Sequence, residues 1–446
     1  MGLRERWGGQ TRRGSDADAS VGATSRFGDL KADLHQRVID RLDFGSLDAL
    51  DADALKRQVR STVVALLDQE RVSLSSGERD KLVEELVHET VGFGPLEPLL
   101  ADAAVTDILV NGFDEVYVER FGKLERSATT FRDDEHLKLI IDRIVAKVGR
   151  RIDEASPMVD ARLPDGSRVN AIIPPLSIDG PCLSIRRFFS ERLTMDDLLS
   201  LGSITLPIAT LLRAAVRSRL NILVSGGTGV GKTTLLNIVS GYIPASERII
   251  TIEDSAELKL LQDHVVRLET RPVNVEGRGE VTQRDLLRNS LRMRPDRIIV
   301  GEVRGNEVFD MLQAMNTGHD GSIATIHANS PRDALHRLEM MMLLSGISMP
   351  EHTIREQIAS AIQLLVHAVR FADGSRRITR VSEIVGMAGD AIVVEDLWVF
   401  ERRGVDADGK ILGRFRTTGY RPRFLPILEA CGENLPDGMF QPSEGA

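Results

Sequence analysis

Eight consecutive residues, Gly226, Gly227, Thr228, Gly229, Val230, Gly231, Lys232 and Thr233, have the spacing of a loop built to hold phosphate. Glycines at 226, 229 and 231 let the backbone curl until successive N–H groups converge on an anion, backed by the positive end of a following helix. Lys232 adds a point charge, Thr233 offers a hydroxyl to magnesium, and Thr234 stands beside it with its role open. The flanks suit this reading. An apolar run, Asn221–Ser225, leads into the loop as a strand, and Leu235 and Leu236 continue it as a helix.

Hydrolysing a nucleotide, as opposed to binding it, needs carboxylates near the phosphates. Two apolar runs end in acids. Ile249 to Ile252 is followed by Glu253 and Asp254, and Arg297 to Gly301 by Glu302. All three acids fall at the carboxyl edge of a strand, where open sheets bind ligands. Glu302 is in the position for holding magnesium or its water. His319 and His327 are eight residues apart, a spacing that fits neither a helical metal pair nor a zinc finger, and Cys182 and Cys431 are remote. The two histidines therefore read as hydrogen-bond donors near the nucleotide. With no guanine-type Asn-Lys-x-Asp signature present, ATP is the expected nucleotide.

These residues need a scaffold. From Leu193 onward, long helical patterns alternate with short continuous apolar runs at Asn221–Ser225, Arg248–Glu253, Val265–Glu269, Arg297–Val300 and Ser322–His327, the pattern of helices on a mostly parallel sheet. Ser330 with Pro331 and Asp333, and Thr282 with Asp285, mark helix starts. Upstream, residues 1–28 have the composition of a disordered tail, 29–90 carry helical apolar spacing, and 91–190 mix short strands with a helix near Asp134–Gly149 as an α+β domain. Residues 194–446 then form an α/β domain, whose last fifty or so residues read as an appendage of short strands.

The whole chain, 446 residues with 42% hydrophobic and 28% charged, is ordinary for a globular protein of more than one domain. No uninterrupted apolar stretch is long enough to span a bilayer, and Met1–Gly14 lacks the apolar run of a signal peptide. Work at a membrane would then need a partner. A net charge of −9 and 4% aromatics give little support to a nucleic-acid translocase, which needs basic grooves and stacking side chains.

The motifs together resemble the type II/type IV secretion ATPase superfamily, and are most similar to its CpaF-type branch serving tight-adherence (Flp) pili. The matching stretches are Gly92–Pro98, Thr106–Gly112, Val159–Asn170, Gly180–Phe188, Gly226–Thr233, Thr251–Leu258, Glu269–Arg271, Asn289–Arg304 and Thr317–Asn329. The resemblance implies a RecA-like motor domain preceded by a smaller, PAS-like α+β domain and a helical module. It implies a Walker A loop at Gly226–Thr233, an acidic box at Glu253, Asp254 and Glu257, an atypical Walker B at Gly301 and Glu302, and a histidine box at His319 and His327. Thr233 and Glu302 would serve magnesium and Glu253 water, with the division of labour between the acids open. Arginines of the preceding domain would close over the phosphates, with Arg162, Arg168, Arg186 and Arg187 as candidates and Arg271 and Arg278 as further ones. The implied assembly is a homo-hexamer at the inner face of a bacterial cytoplasmic membrane, acting on an inner-membrane platform protein without direct nucleic-acid contact.

Overall fold

The computed structural model describes residues 31, 33–41, 52–70, 74–187, 193–271, 273 and 278–442. The tail expected over 1–28 lies outside them. Two compact units divide between Phe188 and Phe189.

In the first unit, a helical stretch at 33–41 and the helices Ala52–Glu70 and Ser76–Val91 bury Leu34, Val38, Val63, Leu66, Leu82 and Leu86 in a small core. A capping box between Ser75 and Glu78 fixes the start of the third. An antiparallel sheet follows, from β1 (Val105–Asn111), β2 (Val116–Arg120), β3 (Lys123–Arg126), β4 (Met158–Arg162), β5 (Arg168–Ile172) and β6 (Cys182–Arg186), in the order β3-β2-β1-β6-β5-β4. Helix Asp134–Ala146 lays Leu137, Ile140, Ile141 and Ile144 on the face carrying Ile108, Val110, Val116, Val118, Val169 and Ile185. Strand alternation leaves the other face polar.

The second unit is built on one sheet of nine strands. Its parallel part comprises β7 (Ile222–Gly226), β8 (Ile249–Glu253), β9 (Val265–Glu269), β10 (Arg297–Val303), β11 (Ile323–His327) and β12 (Leu364–Arg370), in the order β12-β7-β11-β10-β8-β9. Alternate residues of each strand feed two cores. Ile222, Val224, Ile249, Ile299, Ile323 and Val366 pack with helices Leu206–Arg217 and Lys232–Ser240. Leu223, Ile250, Ile298, Ala324 and Leu365 pack with Glu307–Asn316, Pro331–Leu344 and Glu351–Ala361. The expected caps are present, Thr282 with Asp285 and Ser330 with Asp333.

The C-terminal region corrects the expectation of an appendage. β13 (Arg376–Ala388), β14 (Ala391–Val405) and β15 (Ile411–Thr417) continue the same sheet as an antiparallel ribbon beside β12. Trp398 and Val381 enter its core. Because β12 hydrogen-bonds to β7 directly, this ribbon is joined to the strand that leads into the glycine loop.

Candidate functional site

The site forms where β7, β11 and β10 end. Parallel register sets His327 opposite Gly226. Gly226, Gly229 and Gly231 all have positive φ, and a Cβ at Gly226 would stand 2.5 Å from the Ala368 carbonyl oxygen, so only glycine allows β12 to lie this close. Gly231 occupies the N-cap of helix Lys232–Ser240 with no side-chain cap, which leaves that helix's first N–H groups directed at the loop. Lys232 is buried and donates to the Gly226 and Gly227 carbonyls at 3.2 and 2.9 Å. Burial pushes its amine below the usual lysine range, against the pull of Glu302.

Glu302 lies where β10 breaks register between Val300 and Val303, an irregularity that re-aims the side chain. Its Oε1 is 3.1 Å from His327 Nε2, and its Oε2 accepts from Arg304 Nη2 at 2.6 Å. Arg304 also reaches Asp254 Oδ2 at 3.1 Å, and Asp254 Oδ1 accepts from Gln283 at 2.8 Å. Burial first, and then the positive charge of Lys232, lower the His327 pKa. Lys232, Glu302, His327, Arg304 and Asp254 thus form one charged group.

Glu253 is held differently. Its buried carboxylate accepts from the backbone N–H groups of Glu257 and Leu258 at 2.9 and 3.0 Å. Burial nevertheless raises its pKa to about 7, outweighing those bonds. Gly301 makes room for it, because a Cβ there would stand 2.8 Å from Glu253 Cγ. The glycine before Glu302 is therefore a packing requirement of the neighbouring strand's acid. Thr325 donates to the Gly301 carbonyl at 2.6 Å and fixes that backbone.

The structure does not bring His319 to this group. It precedes β11, at the edge of the sheet away from the glycine loop, where its backbone bonds to Ala314 and Ser322. His327 ends the five-residue strand β11, and His319 lies four residues before that strand begins. In the first unit, register sets Arg162 opposite Arg168 and Arg168 opposite Arg186, a level row across β4, β5 and β6. Arg187 is on the other face, donating to the Asp102 and Val105 carbonyls, so it braces the domain instead. Arg271 donates to the Gly279 carbonyl of its own loop at 2.6 Å.

Sequence reasoning missed Arg304 and His367 as site residues. Arg304 is two residues past Glu302, a spacing that could have suggested it. His367, in the middle of β12, pairs through Nδ1 with Ser225 Oγ at 2.9 Å and donates to the Asn329 carbonyl, tying β12 to the end of β7 and to the segment after β11. Only the β12–β7 pairing reveals it. For magnesium, the residues fit. Thr233 is in the first turn of the loop helix, and Glu302 keeps a buried Oε1 without a well-formed hydrogen bond. One hydroxyl, one carboxylate and phosphate oxygens are the usual donor set for that ion. No group of three or more His, Cys, Asp or Glu suited to a metal occurs among the described residues.

Comparison with known proteins agrees with this geometry. The family described as "Type II/IV secretion system protein" matches residues 89–395, and the N-terminal domain of type II secretion system protein E matches 27–91. The chain belongs to the type II/IV secretion system family. It is 40% identical over 330 residues to a candidate conjugal transfer protein of Mycobacterium tuberculosis, covering 73% of this chain and 93% of that one. It is 36% identical over 309 residues to the type IV secretion system protein PtlH of Bordetella pertussis, covering 63% and 91%. Among solved structures, the VirB11 ATPase of the Brucella suis type IV secretion system is 32% identical, covering 64% and 94%, with a TM-score of 0.35. As a member of this secretion family the chain binds nucleotide and is an ATP hydrolase. No helix among the described residues is long and apolar enough to cross a membrane.

Proposed function

We propose that this family member is a magnesium-dependent motor working as a homo-hexamer at the inner face of a bacterial cytoplasmic membrane. It powers assembly or retraction of a type IV pilus of the Flp, tight-adherence kind through an inner-membrane platform protein. The observation that carries the reading is the convergence of Lys232, Glu302 and His327 where β7, β10 and β11 end. In it, Gly226–Thr233, with Thr234 alongside, cradles the phosphates, and Thr233 and Glu302 hold magnesium. That ion supplies charge neutralisation at the transferring phosphoryl group. Asp254 positions Arg304, and Glu253, with a pKa near 7, is matched to accept a proton from water. His327 positions Glu302. Arg162 and Arg186, level with Arg168, supply positive charge on closure of the first unit's domain.

A second reading, substrate export or conjugal transfer in place of pilus assembly, is favoured by the names of the relatives in Mycobacterium and Bordetella. Both readings share the motor chemistry. The deciding experiment is ATPase activity with magnesium against protein concentration, for the wild type and Lys232→Ala. Activity rising faster than linearly and lost in the variant is expected of a site completed between ring subunits. Activity that persists in Lys232→Ala, or is absent from the wild type at high concentration with lipid and platform partner supplied, overturns the motor.

A further inference from the structure

The turn between β12 and β13 brings two arginines onto the phosphate loop. β12 follows β7 in parallel register as far as Ala368 opposite Gly226, so Arg370 comes two residues beyond the loop's first glycine. The chain reverses through a bond from Phe371 N–H to the Ser375 carbonyl at 2.8 Å and returns with Arg376 directly across from Arg370. From there Arg376 Nε donates to the Gly229 carbonyl at 2.9 Å. Arg370 Nη1 is 3.3 Å from the point where a side chain on Gly229 would begin, and Arg376 Cδ is 3.7 Å from the same point on Gly231.

The register sets two like charges directly opposite each other beside the loop. Asp373 accepts from the N–H and hydroxyl of Ser375 and from the Ile411 N–H. Two cations at the rim of a loop that collects anions are stabilised when a polyanion arrives. Lys232 already holds the loop from inside through Gly226 and Gly227, so the arginines address it from outside.

We propose that Arg370 and Arg376 are nucleotide-binding residues, a clasp contributed by the motor unit itself that contacts the polyphosphate of ATP. The proposal rests on the reading of Gly226–Thr233 as the nucleotide site. The clasp belongs to the same compact unit as the loop, unlike the row of Arg162, Arg168 and Arg186. A guanidinium grips two phosphate oxygens through its planar fork, which an ammonium does not reproduce.

The test is direct binding of ATP, and of inorganic tripolyphosphate as a base-free probe, to the full chain. The set comprises wild type, Lys232→Ala, Arg370→Ala, Arg376→Ala and Arg376→Lys, with melting temperatures measured without ligand. Each alanine variant is expected to weaken ATP and tripolyphosphate in parallel by about tenfold with the melting temperature held, and Arg376→Lys to recover only part. Should Arg376→Ala fail to fold, Arg370→Ala carries the test. Wild-type affinity for both ligands in the arginine variants, with Lys232→Ala impaired, overturns the clasp and leaves the nucleotide site standing. A wild type that binds neither ligand overturns the site itself, and the clasp with it.

Discussion

The two edges of the parallel sheet in the second unit carry similar residue types and treat them in opposite ways. At the amino edge Arg297, fully buried at the start of β10, donates to Glu247 and to the Gly321 and Val216 carbonyls. Asn221 nearby receives the N–H groups of Gly321 and Ser322 and donates to the Met315 and Ala361 carbonyls. At the carboxyl edge of the same strands, Glu253 is buried with a pKa raised to about 7, Lys232 is lowered, and Glu302 keeps an oxygen without a good partner. Charges matched inside the fold hold it together. Those left imperfectly matched are available to a ligand.

The largest expected effect breaks the matched edge. Arg297→Ala leaves Glu247 with only the exposed Arg219 and strips the Gly321 and Val216 carbonyls of a buried donor, and should cost about 3–5 kcal/mol in a urea melt, where a merely local role would cost far less. Glu302→Gln, at the unmatched edge, should hold the melting midpoint and lower kcat by about 10²–10³-fold in a steady-state ATPase assay.

Glu253 gives the comparison a pH signature. Its folded pKa is raised from 4.5 to about 7, so between those values the folded state holds the proton more tightly than the unfolded one. Stability should therefore fall as pH rises from 4.5 to 7, by at most roughly 3 kcal/mol, with the slope flattened in Glu253→Gln. If Glu253 also activates water, kcat in the wild type rises through the same pH region. Gly301→Ala, which crowds Glu253, should destabilise by about 1–3 kcal/mol and shift that pH dependence, as parallel melts and rate profiles would reveal. The smallest effect is expected at His319. His319→Gln should change kcat by less than about twofold, against about tenfold or more for His327→Gln.

Much of the carboxyl edge could be read in the sequence because its signals are local. The glycine loop, the apolar runs ending in Glu253 and Glu302, and the caps at Thr282 and Ser330 each need only neighbours in the chain. β9 was expected at the observed limits, Val265–Glu269, and β7 one residue early. What depended on distant pairing was hidden. β14 is interrupted by Glu395 and Asp396 and β15 by Gly413, Arg414 and Arg416, so the last fifty or so residues read as short strands of an appendage. His367 and Arg376 meet the loop only once β12 lies beside β7. Parity offered clues that went unused. Arg186 and Arg187 are adjacent on or just beyond a strand and so face opposite ways, and a short strand ending at His327 is enough to carry it away from His319.

The absence of a Cβ at Gly226 has a mechanical meaning as well as a steric one. With the Ala368 carbonyl seated against that position, the loop has no slack between itself and β12. β12 is bonded in turn to β13, of 13 residues, whose stretch from Arg380 to Ala388 pairs with the first part of β14, of 15. At about 3.3 Å per residue these strands run roughly 40–50 Å. The loop is geared to that ribbon without a clutch: backbone movement at the phosphates reaches the ribbon through hydrogen bonds alone.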